Sequence, residues 1–264
     1  MTVFHPADST QEAAIAEAIG AVRQKGFAAA LWGLCRSLAR PDNLIVLAYR
    51  DAGPPVVLVQ RPGHPQVFQR LEATYLAGAY RLDPFFALHL NRAGDGAYRL
   101  RDIAPDAFRR SRYFVDYFGG TTLVDEIVFV VPLAEGLSLS LCLGRDATSG
   151  RAFGAADMAA CVRLSPVVSA LARAEWQGLD RGTGPLEDTS ALLIHAARQQ
   201  GIALSPRQVT VGLMILRGHS TPSIALSLGV SPQTVKVFRK QLYARCGISS
   251  QAELFSLMLP LLKG

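Results

Sequence analysis

The sequence predicts an α+β protein in two parts: an N-terminal antiparallel sheet with flanking helices, arranged as an α-β-α sandwich, and a C-terminal all-α domain of four helices. Three observations predict this. Two pairs of short apolar runs are joined by turn residues, as in hairpins. A segment rich in glycine and proline, QGLDRGTGPLEDTS (177–190), separates two regions of different composition. Beyond it come short amphipathic stretches, several opened by Ser-Pro or Thr-Pro and closed by glycine. The expected boundaries are residues 1–176 for the first domain, 177–200 for a linker with a short helix, and 201–264 for the second domain.

Taken in order, Ser9 to Glu12 reads as a capping box opening a helix to about Lys25, with Gly26 as its stop. A second helix is expected near 28–39, broken before Pro41. NLIVLAYR (43–50) and PVVLVQR (55–61), joined by DAGP, form the first hairpin. A mostly helical region follows, from about 65 to 92, and a glycine-containing turn leads into YRLRDI. In PDAFRRSRYFVDYF, Pro105 stands at a plausible first helical position. EIVFVVPL and GLSLSLCLGR form the second hairpin, turning at Ala134–Glu135–Gly136, and a long amphipathic helix runs from about 154 to 176. SALLIHAARQQG reads as the short helix that leads into the second domain.

Charge is unevenly placed along the 264 residues. Residues 1–180 carry 18 basic and 18 acidic side chains, whereas 181–264 carry 9 and 3, so the net charge of +6 belongs entirely to the C-terminal part. A neutral body with a basic appendage is suited to one domain meeting a polyanion while the other serves another purpose. The four cysteines are widely spaced without a CxxC pair, and the five histidines stand apart, so neither a disulfide framework nor a metal site is expected. No catalytic spacing and no cofactor motif is evident. The N-terminus has neither a basic leader nor a long apolar run, and no stretch reaches the uninterrupted apolar length of a membrane span. A cytoplasmic location with no membrane partner is expected.

In the C-terminal domain Ser205–Pro206 opens a helix carrying Val209, Leu213 and Leu216 on one face, ended by Gly218. Thr221–Pro222 starts a shorter helix that stops at Leu228–Gly229, and Ser231–Pro232 starts a third. Two short helices joined by a tight glycine-containing turn are the grammar of a helix-turn-helix. On the third helix Val235, Phe238 and Leu242 recur at core spacing, while Lys236, Arg239, Lys240 and Tyr243 share a neighbouring face. No acidic residue occurs between Pro232 and Ala252. Solvated helix faces ordinarily mix signs, whereas a basic face can lie in a major groove and donate to phosphates and guanine edges.

The segment resembles the LuxR-type helix-turn-helix family of bacterial transcription regulators. The residues that carry the resemblance are Leu204–Ser205–Pro206–Arg207–Gln208, Ser223–Ile224–Ala225, Ser231 with Thr234–Val235–Lys236–Val237–Phe238, and Ser249–Ser250–Gln251–Ala252–Glu253–Leu254. Gln208 and Ser223 stand where the family prefers glutamate, and Phe238 where it prefers histidine. The resemblance implies that Lys236, Val237 and Lys240 read base edges of double-stranded DNA while Thr234 and Arg239 touch phosphate. It also implies that the last helix, through Leu254, Leu257, Met258 and Leu261, pairs two chains into a homodimer; residues at this spacing equally suit core packing, and the two roles can coexist. Such a dimer would read a two-fold site with RNA polymerase as a further candidate partner.

Modules of this type are joined to several kinds of input domain. A phosphoacceptor receiver is excluded because Lys25 is the only lysine before residue 236, and an ATPase input because no Gly-Lys dipeptide occurs. The segment Tyr75-x-x-x-x-Tyr80–Arg81–Leu82–Asp83–Pro84–Phe85 is similar to the autoinducer-binding domain, in which an aspartate of Asp-Pro accepts a hydrogen bond from the ligand. The resemblance implies a small-molecule effector bound by Tyr75, Tyr80, Asp83, Phe85 and Tyr98, in a divergent pocket of the unpaired ("solo") type. Asp83 can equally cap the helix that Pro84 begins. Tyr113, Tyr117 and Phe118 read as core or pocket wall. Two rival functions remain: a ligand-independent dimeric DNA-binding regulator, and an enzyme domain fused to a DNA-binding tail.

Overall fold

The computed structural model describes residues 9–179 and 189–262. Five strands, β1 (Asn43–Arg50), β2 (Val56–Arg61), β3 (Gly96–Arg99), β4 (Leu123–Ala134) and β5 (Leu137–Asp146), form one antiparallel sheet in the order β2-β1-β5-β4-β3. Both predicted hairpins are present. They join through β1 and β5, which pair along their whole lengths from Asn43–Gly144 to Arg50–Leu137. The central strands are apolar at successive positions because both faces of the sheet are covered.

On one face pack α1 (Ser9–Gly20), α2 (Phe27–Ala39) and α6 (Ala155–Trp176), against Leu44, Val46, Ile127, Phe129, Leu139, Leu141 and Leu143. The opposite face, presenting Ile45, Leu47, Tyr49, Val128, Val130 and Cys142, is covered by the irregular region 65–120. This α-β-α layering matches the predicted sandwich. The first helix ends at Gly20, short of the expected Lys25, and Arg23 takes a positive φ in the turn that follows. The α6 helix is long and apolar enough, by length and composition, to cross a membrane. It carries Asp157, Arg163 and Arg173, and buries Cys161, Leu164, Val168, Leu171 and Ala172 against the sheet, as a core helix does.

The region expected to be mostly helical is broken into short pieces. A π-helical turn (Leu71–Leu76) and a 3-10 turn (Ala79–Leu82) precede α3 (Pro84–Leu90), and a single turn, α4 (Leu100–Ile103), follows β3. Pro105 does not open the next helix. Ser111 does, its Oγ accepting from Phe114 N at 3.0 Å at the start of α5 (Arg112–Asp116).

Five further helices follow among the described residues: α7 (Thr189–Gln199), α8 (Pro206–Arg217), α9 (Thr221–Leu228), α10 (Pro232–Cys246) and α11 (Gln251–Leu262). Residues 180–188 of the expected linker lie outside the described residues. Local sequence explains the ends of α8, α9 and α10. Ser205, Ser220 and Ser231 cap three of the starts, the first proline of each helix sits within its first turn, and Gly218, Gly229 and Gly247 close the ends in the left-handed conformation. The α9 helix starts at Thr221 as expected, with Ser220 before it as the cap.

Candidate functional site

The helix-turn-helix is built on buried Val209, Leu213 and Leu216 of α8, Ile224 and Ala225 of α9, and Val235 and Leu242 of α10. Gln208 does the work of the family's glutamate. Its Oε1 accepts from Ser205 N at 3.0 Å and from Arg245 Nη1 at 3.2 Å, closing a capping box with one bond to spare. Ser223 meets His219 through its hydroxyl at 3.2 Å, and Phe238 is half-buried against the same core.

With that side of α10 buried, the residues expected to meet DNA emerge together. Lys236, Arg239 and Lys240 are exposed, and among the described residues none forms an ion pair. Val237 beside them is 45% exposed while Val235, on the packed side, is 1% exposed. Thr234 stands in the first turn, its hydroxyl 2.8 Å from that of Ser231. An uncompensated cationic helix face with an apolar residue at its centre has the chemistry of groove binding.

Two of the four residues expected to pair two chains pack within this one. Leu254 and Met258 are buried within the chain, because α11 packs on α7, α8 and α5, and Met258 Cε lies close to Gly212. Their surface is therefore already used. Leu257 is half-buried, and the side chain of Leu261 lies outside the described residues.

In the N-terminal domain a cavity of about 30 Å³ lies between the sheet and the irregular region. It is lined by Tyr75, Asp83 and Phe85 of the expected site, and by Phe68, Tyr113, Tyr117, Glu126 and Cys142 among others. The π-helical turn aims Tyr75 inward, and such turns recur where a helix serves a site. Tyr49 and Tyr75 share a hydrogen bond between their hydroxyls, and Tyr75 donates onward to Asp83 Oδ2 at 2.6 Å. The other Asp83 oxygen accepts from Phe85 N at 2.8 Å, so this carboxyl caps α3 and faces the cavity at once.

Two expected residues fall elsewhere. Tyr80 is buried behind the wall, its ring 5.1 Å from Phe86 and its hydroxyl donating to Gly53 O at 3.1 Å. Tyr98 stands on the sheet face toward the cavity but on the outermost strand, where its ring folds back over Gly96 and its hydroxyl donates to Gly94 O at 3.1 Å. Conversely, Glu126 was not anticipated. Its part of β4, Val-Asp-Glu-Ile, has no alternation that would single out an inward carboxylate, and its partner Gly144 is far away in sequence.

Burial dominates the electrostatics here. It pushes the Asp83 carboxyl upward against the hydrogen bonds from Tyr75, Phe85 and Tyr113 that favour its charged form. Glu126, which keeps some accessible surface where it lines the cavity and makes no hydrogen bond among the described residues, is pushed up to about 8 by burial and then by the nearby Asp83 and Asp125. The phenols of Tyr49, Tyr75 and Tyr113 and the Cys142 thiol are raised well above their ordinary values by burial and by these carboxyls.

The cavity wall is also the seat of the helix-turn-helix. Tyr113 and Tyr117 line the cavity, and rings at 6.1 and 5.8 Å connect Tyr113 and Phe118 to Phe108. Against Phe108 and Ser111 lies Gly218, whose carbonyl accepts from Ala107 N at 3.0 Å. Ser220 N donates to Asp106 Oδ1 at 3.0 Å; the side chain of Ser220 and then this backbone bond hold the Asp106 carboxyl below its usual range, and the Arg112 guanidinium lies 5.4 Å over the Phe255 ring. Gly218 has φ +99°, and a Cβ there would stand 2.8 Å from Ser111 Cβ and 3.0 Å from Phe108 Cα. Gly218→Ala is therefore expected to destabilise the protein by about 1–3 kcal/mol through backbone strain and overpacking. It should also speed hydrogen exchange at the Ala107 and Ser220 amides; unchanged exchange there would contradict this docking.

Helix-turn-helix geometry with an exposed cationic third helix places the chain in the class of DNA-binding regulators. The model of the luxR family of bacterial regulatory proteins matches residues 203–258. A putative HTH-type transcriptional regulator from Aeromonas salmonicida, encoded in the exeN 3' region, is 32% identical over 188 residues, covering 67% of this chain and 93% of that one. The VqsR LBD domain of Pseudomonas aeruginosa has a crystal structure similar to this fold, at TM-score 0.53 and 27% identity, covering 64% of this chain and 98% of that one. Escherichia coli SdiA aligns over 96% of this chain and 98% of its own at 15% identity, with a TM-score of 0.41. The chain belongs to the luxR family of bacterial regulatory proteins.

Proposed function

We propose that this protein is a one-component transcription regulator whose N-terminal domain responds to a small molecule and thereby controls sequence-specific DNA binding. The observation that supports it best is the position of residues 105–118. One side of this segment lines the cavity through Tyr113 and Tyr117, and the other holds Gly218 and Ser220 of the helix-turn-helix. A ligand that displaces the tyrosines acts on the same short segment that positions the DNA-binding module, giving a physical route for differential affinity between states. Thr234, Lys236, Val237, Arg239 and Lys240 meet the DNA, and two chains together read a two-fold site. Tyr75, Asp83 and Phe85, joined by Tyr113, Tyr117 and Glu126, form the effector site.

A cavity of about 30 Å³ holds roughly one water, so an acyl-homoserine lactone does not fit without rearrangement of the wall. The decisive experiment selects duplexes from a random pool with the full chain. It then screens metabolites for a rise in melting temperature and measures the affinity of each stabilising compound's complex for the selected duplex. The reading expects one compound to change both quantities. Failure to enrich any duplex would overturn the DNA-binding part, and stabilising compounds that leave DNA affinity untouched would overturn the control.

A further inference from the structure

We infer that the cavity takes a small organic cation, such as a methylated or primary amine, held between aromatic rings and the carboxyls of Asp83 and Glu126; this rests on the effector site proposed above. The wall supplies five aromatic rings, from Phe68, Tyr75, Phe85, Tyr113 and Tyr117. It also supplies two carboxyls, and no lysine, arginine or histidine lines it. Ring faces and carboxylates are both complementary to a desolvated cation. An anion would be repelled, and a purely apolar guest would leave the Glu126 carboxyl unpaired.

Two groups that touch the cavity without a hydrogen-bond partner among the described residues point the same way. Tyr117 is 6% exposed and lines the cavity, yet its hydroxyl makes no hydrogen bond among the described residues. Glu126 likewise lacks a donor, whereas Asp83 already has Tyr75 and Phe85. What the site lacks is therefore a donor or a positive charge near Glu126. The rings of Tyr75 and Tyr117 lie 5.1 Å apart, and those of Tyr113 and Tyr117 5.6 Å, so a guest enters by parting them. That movement is on the segment that seats the helix-turn-helix.

The groups facing Glu126 are Asp125 on its own strand, Asp83 before α3, Tyr113 and Tyr117 at α5, Tyr49 on β1 and Cys142 on β5. The phenols and the thiol stay protonated in the neutral range, leaving the carboxyls to titrate. A bound cation favours ionised Glu126 and so releases its proton; affinity for a permanently charged cation rises with pH and levels off above about 8. In the empty protein the sign is opposite. A carboxyl raised by folding contributes stability below its unfolded value, and that contribution is lost as pH rises toward about 8.

The test uses the full chain with choline, its neutral isostere 3,3-dimethylbutan-1-ol and its anionic isostere 3,3-dimethylbutanoate, read by melting temperature and by calorimetric affinity at pH 6 and pH 8. The inference expects choline alone to stabilise, with affinity about tenfold higher at pH 8 than at pH 6. In Glu126→Gln that pH dependence should vanish, circular dichroism confirming the fold. The wild-type comparison of isosteres needs no variant and stands if Glu126→Gln fails to fold. Stabilisation by the alcohol or the acid equal to that by choline would overturn the cation while leaving an effector site in place. A flat response to all three would also overturn it, and only the wider metabolite screen above then bears on whether the domain binds a small molecule.

Discussion

Replacing Lys236 and Lys240 together by alanine is expected to lower affinity for the selected duplex by roughly a hundredfold to a thousandfold, since each specific cation–base contact contributes about 1–3 kcal/mol. Both side chains are exposed and form no ion pair among the described residues, so their removal orphans no described partner and the melting temperature should hold within about a degree. The salt dependence separates their roles. A lysine that touches phosphate releases counterions, so its loss lowers the slope of log affinity against log salt by about one per contact. Loss of a base-reading side chain relaxes sequence preference instead. Arg239→Ala is expected to behave as a phosphate contact, reducing affinity evenly across duplexes. Fluorescence anisotropy against the selected and a scrambled duplex, at three salt concentrations, distinguishes these outcomes. If the double variant bound the selected duplex as well as the parent, the assignment of α10 as the reading helix would be wrong.

The second large effect concerns stability. Arg99 Nε and Nη2 donate to Asp125 Oδ2 at 3.0 and 2.6 Å, while Phe153 N also donates to that oxygen at 3.0 Å and the guanidinium reaches Phe153 O. The pair is almost wholly buried, with Arg99 1% exposed. It ties edge strand β3 to β4 and to the turn before α6. Arg99→Ala leaves a buried carboxylate without its cation, and is expected to cost about 3–5 kcal/mol in urea unfolding. Asp125→Ala should cost a similar amount. Replacing both by alanine should cost clearly less than the sum, because neither charge is then stranded. Strict additivity across that cycle would show that the two residues act independently of their ion pair.

The limits of what was legible are visible in particular residues. Ser205, Ser231 and the glycines at 218, 229 and 247 declare helix ends within a few positions, because capping satisfies local backbone groups with local side chains. Gln208 shows how far this reaches. Its departure from the family pattern changes the chemistry of one atom, and the amide still completes the cap. Asp83 was legible for the same reason, since Asp-Pro announces a helix start whatever lies beyond. The short pieces between 65 and 120 were not. Their apolar residues follow no single period, because each fills a gap in a curved aromatic wall rather than a helix face.

Sequence alone determined the sandwich and the cationic face of α10, because hairpins, caps and i, i+3, i+4 spacing depend on residues within one or two turns of each other. Tertiary structure decided which residues share the cavity. Tyr98 and Glu126 lie on neighbouring strands, yet the edge position of β3 turns Tyr98 back on Gly96 while Glu126 reaches the space beneath Tyr113 and Tyr117. It also decided that Leu254 and Met258 serve the core, since an apolar stripe on α11 is compatible with any apolar neighbour until α5, α7 and α8 are in place. Local pattern fixes what a residue can do. The register of distant strands and the docking of helices fix what it touches.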